Sequence, residues 1–248
     1  MTRLDPDIFI HPRQGRKERR LPERALLFVN PAEASFALRV FEKYEAQRQT
    51  LYNSNLLVDK HRRLCLAGPA LGAPAAGLIM EKLIALGVRD ILLISCCGTL
   101  DPILSIGDIL VAAEGVPGEG VSRYYEAADT LHPSAQALHR LQESLRQQNL
   151  SWTEGTLFST DAPYRESRSE LFLLQEQYGV SGVDMEFSAL CSIAAFRKIS
   201  FAGLFIVSDE LWGADWKPGF GSTTYRNRSH SVIEAMICQT LQKEQGER

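Results

Sequence analysis

The 248-residue sequence is short of several things, and each shortage excludes a class of protein. There is no long apolar run: the longest, residues 91–97, is far below the roughly 20 residues that cross a bilayer, so no membrane segment or membrane partner is expected. The 5 cysteines form no CxxC pair, and their odd number argues against a disulfide scaffold and for a reducing compartment, the cytoplasm. No spacing of zinc ligands occurs, so no metal site is expected. A large excess of charge of one sign is missing too, because 27 basic and 30 acidic residues leave −3. That balance gives no basic field for a nucleic-acid backbone. GxGxxG is missing, so a dinucleotide cofactor is not expected.

What is present is an ordinary globular composition, 45% hydrophobic and 23% charged. A chain of this length buries roughly three quarters of its surface, enough for one large core. Arg13, Arg16, Lys17, Arg19 and Arg20 precede the apolar residues 25–29 in the manner of a secretion signal. That block is too short and runs into Asn30-Pro31, so it reads as a strand of the mature protein. With no repeat and no linker, residues 1–248 are expected to form a single domain with 1–23 as an N-terminal arm.

Short β-rich runs alternate with amphipathic runs of helical length, which predicts an α/β fold on a mixed sheet. Strands are expected at 25–29, 56–58, 64–67, 91–95, 109–113, 152–158 and 201–207. Helices are expected at 34–44, 74–86, 133–147, 169–177, 187–196 and 225–243, the second ending at Gly87 as a C-cap. The polar residues 59–63 read as an exposed turn. Ligands of open α/β sheets gather at strand exits, here Asn30, Ala67-Gly68, Ser95 to Gly98, Phe158 to Asp161, and Val207 to Asp209.

Four segments at or near such exits could carry chemistry. Gly68 and Gly72 flank the start of a helix, where backbone amides could meet an anion, or where tight packing alone could demand glycine. Cys96 and Cys97, followed by Gly98, read as small buried hydrophobes sooner than as a nucleophile or ligand pair. In Asp184-Met185-Glu186 the glutamate suits a first helical turn. It could equally accept hydrogen bonds from vicinal hydroxyls while the thioether packs under a sugar ring. Asp209 ends a strand with no polar side chain before Ser208, where partial desolvation would suit a general acid, or where Ser208 or Asp209 could cap the next segment.

Taken in order, GPALGAPAA (68–76), SCCGTL (95–100), SIGDILVA (105–112), FSTDAPY (158–164), GVDMEFSAL (182–190) and VSDEL (207–211) resemble the nucleoside phosphorylase superfamily. That group includes purine nucleoside phosphorylase, uridine phosphorylase and methylthioadenosine nucleosidase, and the likeness runs from about Ala25 to about Leu211. It implies a three-layer α/β/α sandwich, a dimer-based homo-oligomer that is often a hexamer, and cleavage of the N-glycosidic bond of a small-molecule nucleoside, with a purine favoured. By the same resemblance Glu186, Met185 and His11 hold the ribose, His11 reaching into a neighbouring subunit. Asp209 protonates the leaving base, while Cys97, Gly98, Pro163, Tyr164 and Asp184 surround it. Gly68, Gly72, Cys96 and a neighbour's Arg48 form the phosphate or acceptor site. No cofactor is implied beyond inorganic phosphate as a co-substrate.

One departure bears on the reaction. The family's GDPxR-like turn, whose arginine binds phosphate, is here Val29-Asn30-Pro31-Ala32-Glu33. A second family arginine corresponds to Leu93, and the phosphate-capping hydroxyl to Cys96. Charged hydrogen bonds contribute about 1.5 to 3 kcal/mol each, so losing both arginines weakens phosphate binding about a hundredfold or more. Three readings follow: a nucleosidase with Glu33 as the base that activates water; a phosphorylase whose anion site is rebuilt from Arg48, the glycine-loop amides and another arginine such as Arg123; or a nucleoside-binding member without turnover. The aromatic and glycine-rich residues 212–220 read either as a lid over the base or as a loop packed on a neighbouring subunit.

Overall fold

β1 (Arg24–Phe28) is apolar on both faces, as a central strand covered on both sides must be. Leu27 packs into a core with Ile79, Leu83, Leu190 and Ile193, whereas Leu26 and Phe28 join a second core with Phe41, Ile233 and Ile237. These two cores lie on opposite faces of one sheet and define the three layers. The computed structural model describes residues 7–125 and 128–243.

After β1 come α1 (Pro31–Glu42), β2 (Gln47–Leu51), β3 (Ser54–Val58), β4 (Leu64–Gly68), α2 (Ala73–Ala85), β5 (Asp90–Thr99) and β6 (Ile109–Gly118). The second half holds α3 (Ala135–Gln147), β7 (Thr153–Thr160), α4 (Arg168–Tyr178), β8 (Val180–Asp184), α5 (Phe187–Arg197), β9 (Ser200–Glu210), β10 (Lys217–Pro218) and α6 (Thr223–Lys243). The strands form one mixed sheet in the order β10-β9-β6-β7-β8-β5-β1-β4-β3-β2. Because β9 also pairs with β5, the strands β5, β9, β6, β7 and β8 close a ring. Parallel pairs join β5 to β1 and β9, and β7 to β6 and β8; β6 meets β9 antiparallel.

Local chemistry sets the helix ends. The Asn30 side chain accepts the Ala32 amide at 2.8 Å, with Pro31 opening α1. At the end of α2 the Val88 amide reaches Leu83 O and the Gly87 amide reaches Ile84 O, the paired bonds of a Schellman motif, as the expected stop at Gly87 requires.

Three details differ from the sequence reading. The expected turn at 59–63 is pinned, because the buried Asp59 carboxylate accepts the amides of His61, Arg63 and Leu64 at 3.0, 2.7 and 2.7 Å. β2 and β10 were not expected as strands, whereas β8 bears out the strand exit expected at Asp184. β5 and β9 continue past their predicted ends to Thr99 and Glu210, so the functional segments there lie within strands and not beyond them. In the N-terminal arm Ile8, Phe9 and Ile10 are exposed. Among the described residues no helix is long and apolar enough to cross a membrane.

Candidate active site

The pairing of β5 with β9 contains a one-residue irregularity. Cys97 faces Val207 but Gly98 faces Asp209, leaving Ser208 as the extra residue. Such a bulge re-aims the side chains beside it. The Ser208 hydroxyl donates within the bulge, approaching Cys97 O at 3.1 Å and Asp209 Oδ1 at 2.7 Å. Gly98 leaves the space that the carboxylate occupies, since a Cβ there would lie 2.9 Å from Asp209 Oδ2. Asp209, only 8% exposed, thereby faces a cavity instead of the core.

That cavity measures about 530 Å³, within the range of small-molecule sites. Asn30, from the end of β1, and Ser95 to Gly98, from β5, line one part of it. Val183 to Glu186, at the junction of β8 and α5, line another, with Asp209 from β9. Pro163, Tyr164, Glu166 and Arg168 enter from the segment before α4, and Trp216 and Phe220 from the loop after β9.

Two carboxyls at the β8–α5 junction have different tasks. Asp184 is committed to the chain itself: Oδ1 accepts Ser159 Oγ at 2.5 Å, and Oδ2 accepts the amides of Glu186 and Phe187 at 2.9 and 2.7 Å. Burial still raises its pKa from an ordinary 3.8 to about 6. Glu186 is 2% exposed, and its Oε1 accepts the Gly72 amide at 2.6 Å. Burial first, then the neighbouring Asp184, pushes its pKa up to about 8. Hydrogen-bond donors from a ligand would favour its charged form. Half-buried Glu166 is pushed up to about 7 by burial and by Asp209.

Of the expected site residues, the cavity brings together Asp209, Glu186, Met185, Asp184, Cys96, Cys97, Gly98, Pro163 and Tyr164. Glu33 stands one layer behind. It is 4% exposed; Oε1 accepts the Tyr225 hydroxyl at 2.7 Å, while Oε2 has no partner among the described residues. The Tyr225 hydroxyl also touches the Cys96 thiol, which burial and then Glu33 push up to about 12. Gly68 and Gly72 do not line the cavity. Gly68 has φ +152° and a Cβ there would collide with Phe28 O, so packing against β1 explains this glycine; the Gly72 amide meets Glu186 and not an open anion site. His11 lies on the arm, and Arg48 sits on β2 with its Nε 3.1 Å from Asn55 Oδ1, both outside this chain's own cavity. Arg123 also stays outside, its guanidinium 4.9 Å from the Tyr124 ring centre.

A family model, described as the phosphorylase superfamily, matches residues 23–237. The chain belongs to the phosphorylase superfamily. A curated relative, the DeoD-type purine nucleoside phosphorylase of Brevibacillus brevis, is 25% identical over 231 residues, covering 90% of this chain and 97% of the relative. The fold is similar to that of the 5'-methylthioadenosine/S-adenosylhomocysteine nucleosidase of Campylobacter jejuni, with TM-score 0.76, 14% identity and 90% and 99% of the two chains covered. It is also similar to that of the Toxoplasma gondii purine nucleoside phosphorylase solved with immucillin-H, with TM-score 0.73, 19% identity and 90% and 93% covered. Fold likeness of this kind spans hydrolases and phosphorylases alike, so the acceptor has to be argued from the cavity of this superfamily member itself.

The sequence reading missed Glu166, Arg168 and Tyr225: the first two sit in a polar segment, and Tyr225 lies on α6, far away in sequence. Ser208 was weighed there as a cap, and its part in the bulge was not foreseen.

Proposed function

We propose that this superfamily member cleaves the N-glycosidic bond of a nucleoside with water as the acceptor. One observation carries the choice of water: Glu33, buried with an unpartnered oxygen, stands behind Asn30 and Cys96 where a phosphate-binding arginine would be needed. Arg168 is the one cationic side chain lining the cavity among the described residues, and it comes from the start of α4, two residues after Glu166. A carboxylate there repels a phosphate dianion but accepts a proton from water.

In this reading Glu186 accepts hydrogen bonds from the ribose hydroxyls and Met185 packs under the sugar. Asp209 meets the base. As the C1′–N bond breaks, its electron pair leaves with the base and positive charge builds on the sugar, where Glu186 lies close enough to stabilise it. Water adds to C1′, and its proton reaches Glu33, one layer behind the cavity, by way of the Cys96 thiol and the Tyr225 hydroxyl that lie between them. The protein assembles as a homo-oligomer in which a neighbour's His11 completes the ribose site.

The test is product analysis in phosphate-free buffer with adenosine, inosine and uridine. Free base and free ribose are expected, and adding phosphate is expected to leave the rate unchanged. Turnover that requires phosphate and yields ribose 1-phosphate contradicts the proposal.

A further inference from the structure

The strands that carry the active site begin at a second cavity. Arg24 at the start of β1, Asp90 at the start of β5 and Ala202 near the start of β9 line it, whereas Asn30, Cys97 and Asp209 lie toward or just past the far ends of the same three parallel strands. Helices α3 and α6 also line it, with Arg140, Leu141 and Ser144 from the first and Met236 and Thr240 from the second. The cavity measures about 90 Å³. Packed interiors rarely hold a space much larger than a water molecule, so one of this size between sheet and helices is uncommon.

The lining is divided by chemistry. Leu26, Leu64, Leu141, Ala202 and Met236 are buried, and the register sets Leu26 beside Leu92 and Leu92 beside Ala202 in one row across the sheet. The charged members are partly exposed and cluster on Asp90: Arg140 Nη2 donates to Oδ1 at 2.8 Å, and Arg24 Nε stands 3.7 Å from Oδ2. The apolar residues thus form the inner wall and the charged ones the mouth. Two guanidiniums against one carboxylate leave that mouth with one positive charge in excess. Asp90 takes one of the five N–H donors of Arg140, so this guanidinium keeps donors for a further carboxylate.

We infer that this second cavity binds a short-chain carboxylate, with its head on Arg140 at the mouth and its tail against Leu26, Leu141 and Met236. The volume sets the tail: a cavity of about 150 Å³ takes a benzene ring, so this smaller one suits a branched chain of about three or four carbons and excludes a purine. Binding here goes beyond nucleoside cleavage and does not depend on it.

Saturation-transfer NMR titration of the full chain in phosphate-free buffer at neutral pH, with isobutyrate, acetate and isobutyramide, tests this. Isobutyrate is expected to bind saturably and about tenfold or more tightly than isobutyramide, which has its shape without its charge. It is expected to exceed acetate by about tenfold, because two further carbons are buried. Arg140→Gln is expected to remove most of the preference over the amide, whereas Asp209→Asn is expected to leave isobutyrate affinity unchanged. Absence of saturable binding by the wild-type protein, or equal binding of isobutyrate and isobutyramide, overturns the inference whether or not the variants fold. A preference that survives Arg140→Gln overturns it too, and an affinity that falls in Asp209→Asn would place the ligand in the nucleoside cavity instead. Inorganic phosphate binding as tightly as isobutyrate would show that charge alone is read, and would also overturn it.

Discussion

The Tyr225 hydroxyl donates to Glu33 Oε1 at 2.7 Å across 192 residues of sequence, tying the first turn of α6 to the first turn of α1. Ser229, at 3.4 Å, is a weaker second donor to the same oxygen. Removing the tyrosine hydroxyl leaves a buried carboxylate oxygen under-satisfied, which costs about 1 to 3 kcal/mol. Tyr225→Phe is thus expected to lower the denaturant midpoint by a corresponding amount with an unchanged slope. Glu33→Gln is expected to act differently, cutting turnover by about a hundredfold to ten-thousandfold while ligand-induced thermal stabilisation persists.

Trp216 is the natural reporter of occupancy, because it lines the cavity and its indole bonds Asp209 there. A nucleoside that engages Asp209 must displace or reorient that ring. Ligand titration is expected to shift tryptophan emission, and Trp216→Phe is expected to abolish most of the shift although Trp152 and Trp212 remain. An undiminished shift in the variant would place the base elsewhere.

Glu186, Glu166 and Asp184 all have pKa values raised by folding, to about 8, 7 and 6. A raised acid binds more protons in the native state than in the unfolded one, so its contribution is greatest below the unfolded value and is lost as pH rises through the folded value. The ligand-free protein is expected to lose stability steadily between about pH 5 and pH 8, seen as a falling Tm. Glu186→Gln is expected to flatten the upper part of that slope, between pH 7 and 8.

Gly68 and Gly98 make a contrasting pair. A Cβ at Gly68 meets the rigid backbone carbonyl of Phe28, whereas at Gly98 it meets the Asp209 carboxylate and a Leu211 methyl, each at 2.9 Å. Gly68→Ala is expected to be a folding mutant, destabilised by about 3 kcal/mol or more. Gly98→Ala is expected to keep most of its stability and lose activity, read as a fall in kcat/KM with a nearly normal Tm.

The fold was legible where strands are apolar on both faces. β1, β5 and β9 stand out because burial on both sides demands it. β2, with Gln47, Arg48, Gln49 and Thr50 exposed, has no such pattern and is made a strand by its pairing with β3. The ring that β9 closes with β5 and β6 joins strands far apart in sequence and leaves no local trace. The site divides the same way. Glu186 could be found at the exit of β8, and Asp209 because the apolar run before it stops at Ser208 although the strand goes on to Glu210, whereas Glu166 and Tyr225 enter from a polar loop and a distant helix, where nothing nearby marks them.

The central claim, that water and not phosphate attacks the sugar, is tested most directly by turnover in oxygen-18 water with phosphate present and mass analysis of the sugar product. Free ribose carrying one oxygen-18, initially at C1, is predicted. Ribose 1-phosphate without the label would contradict the account.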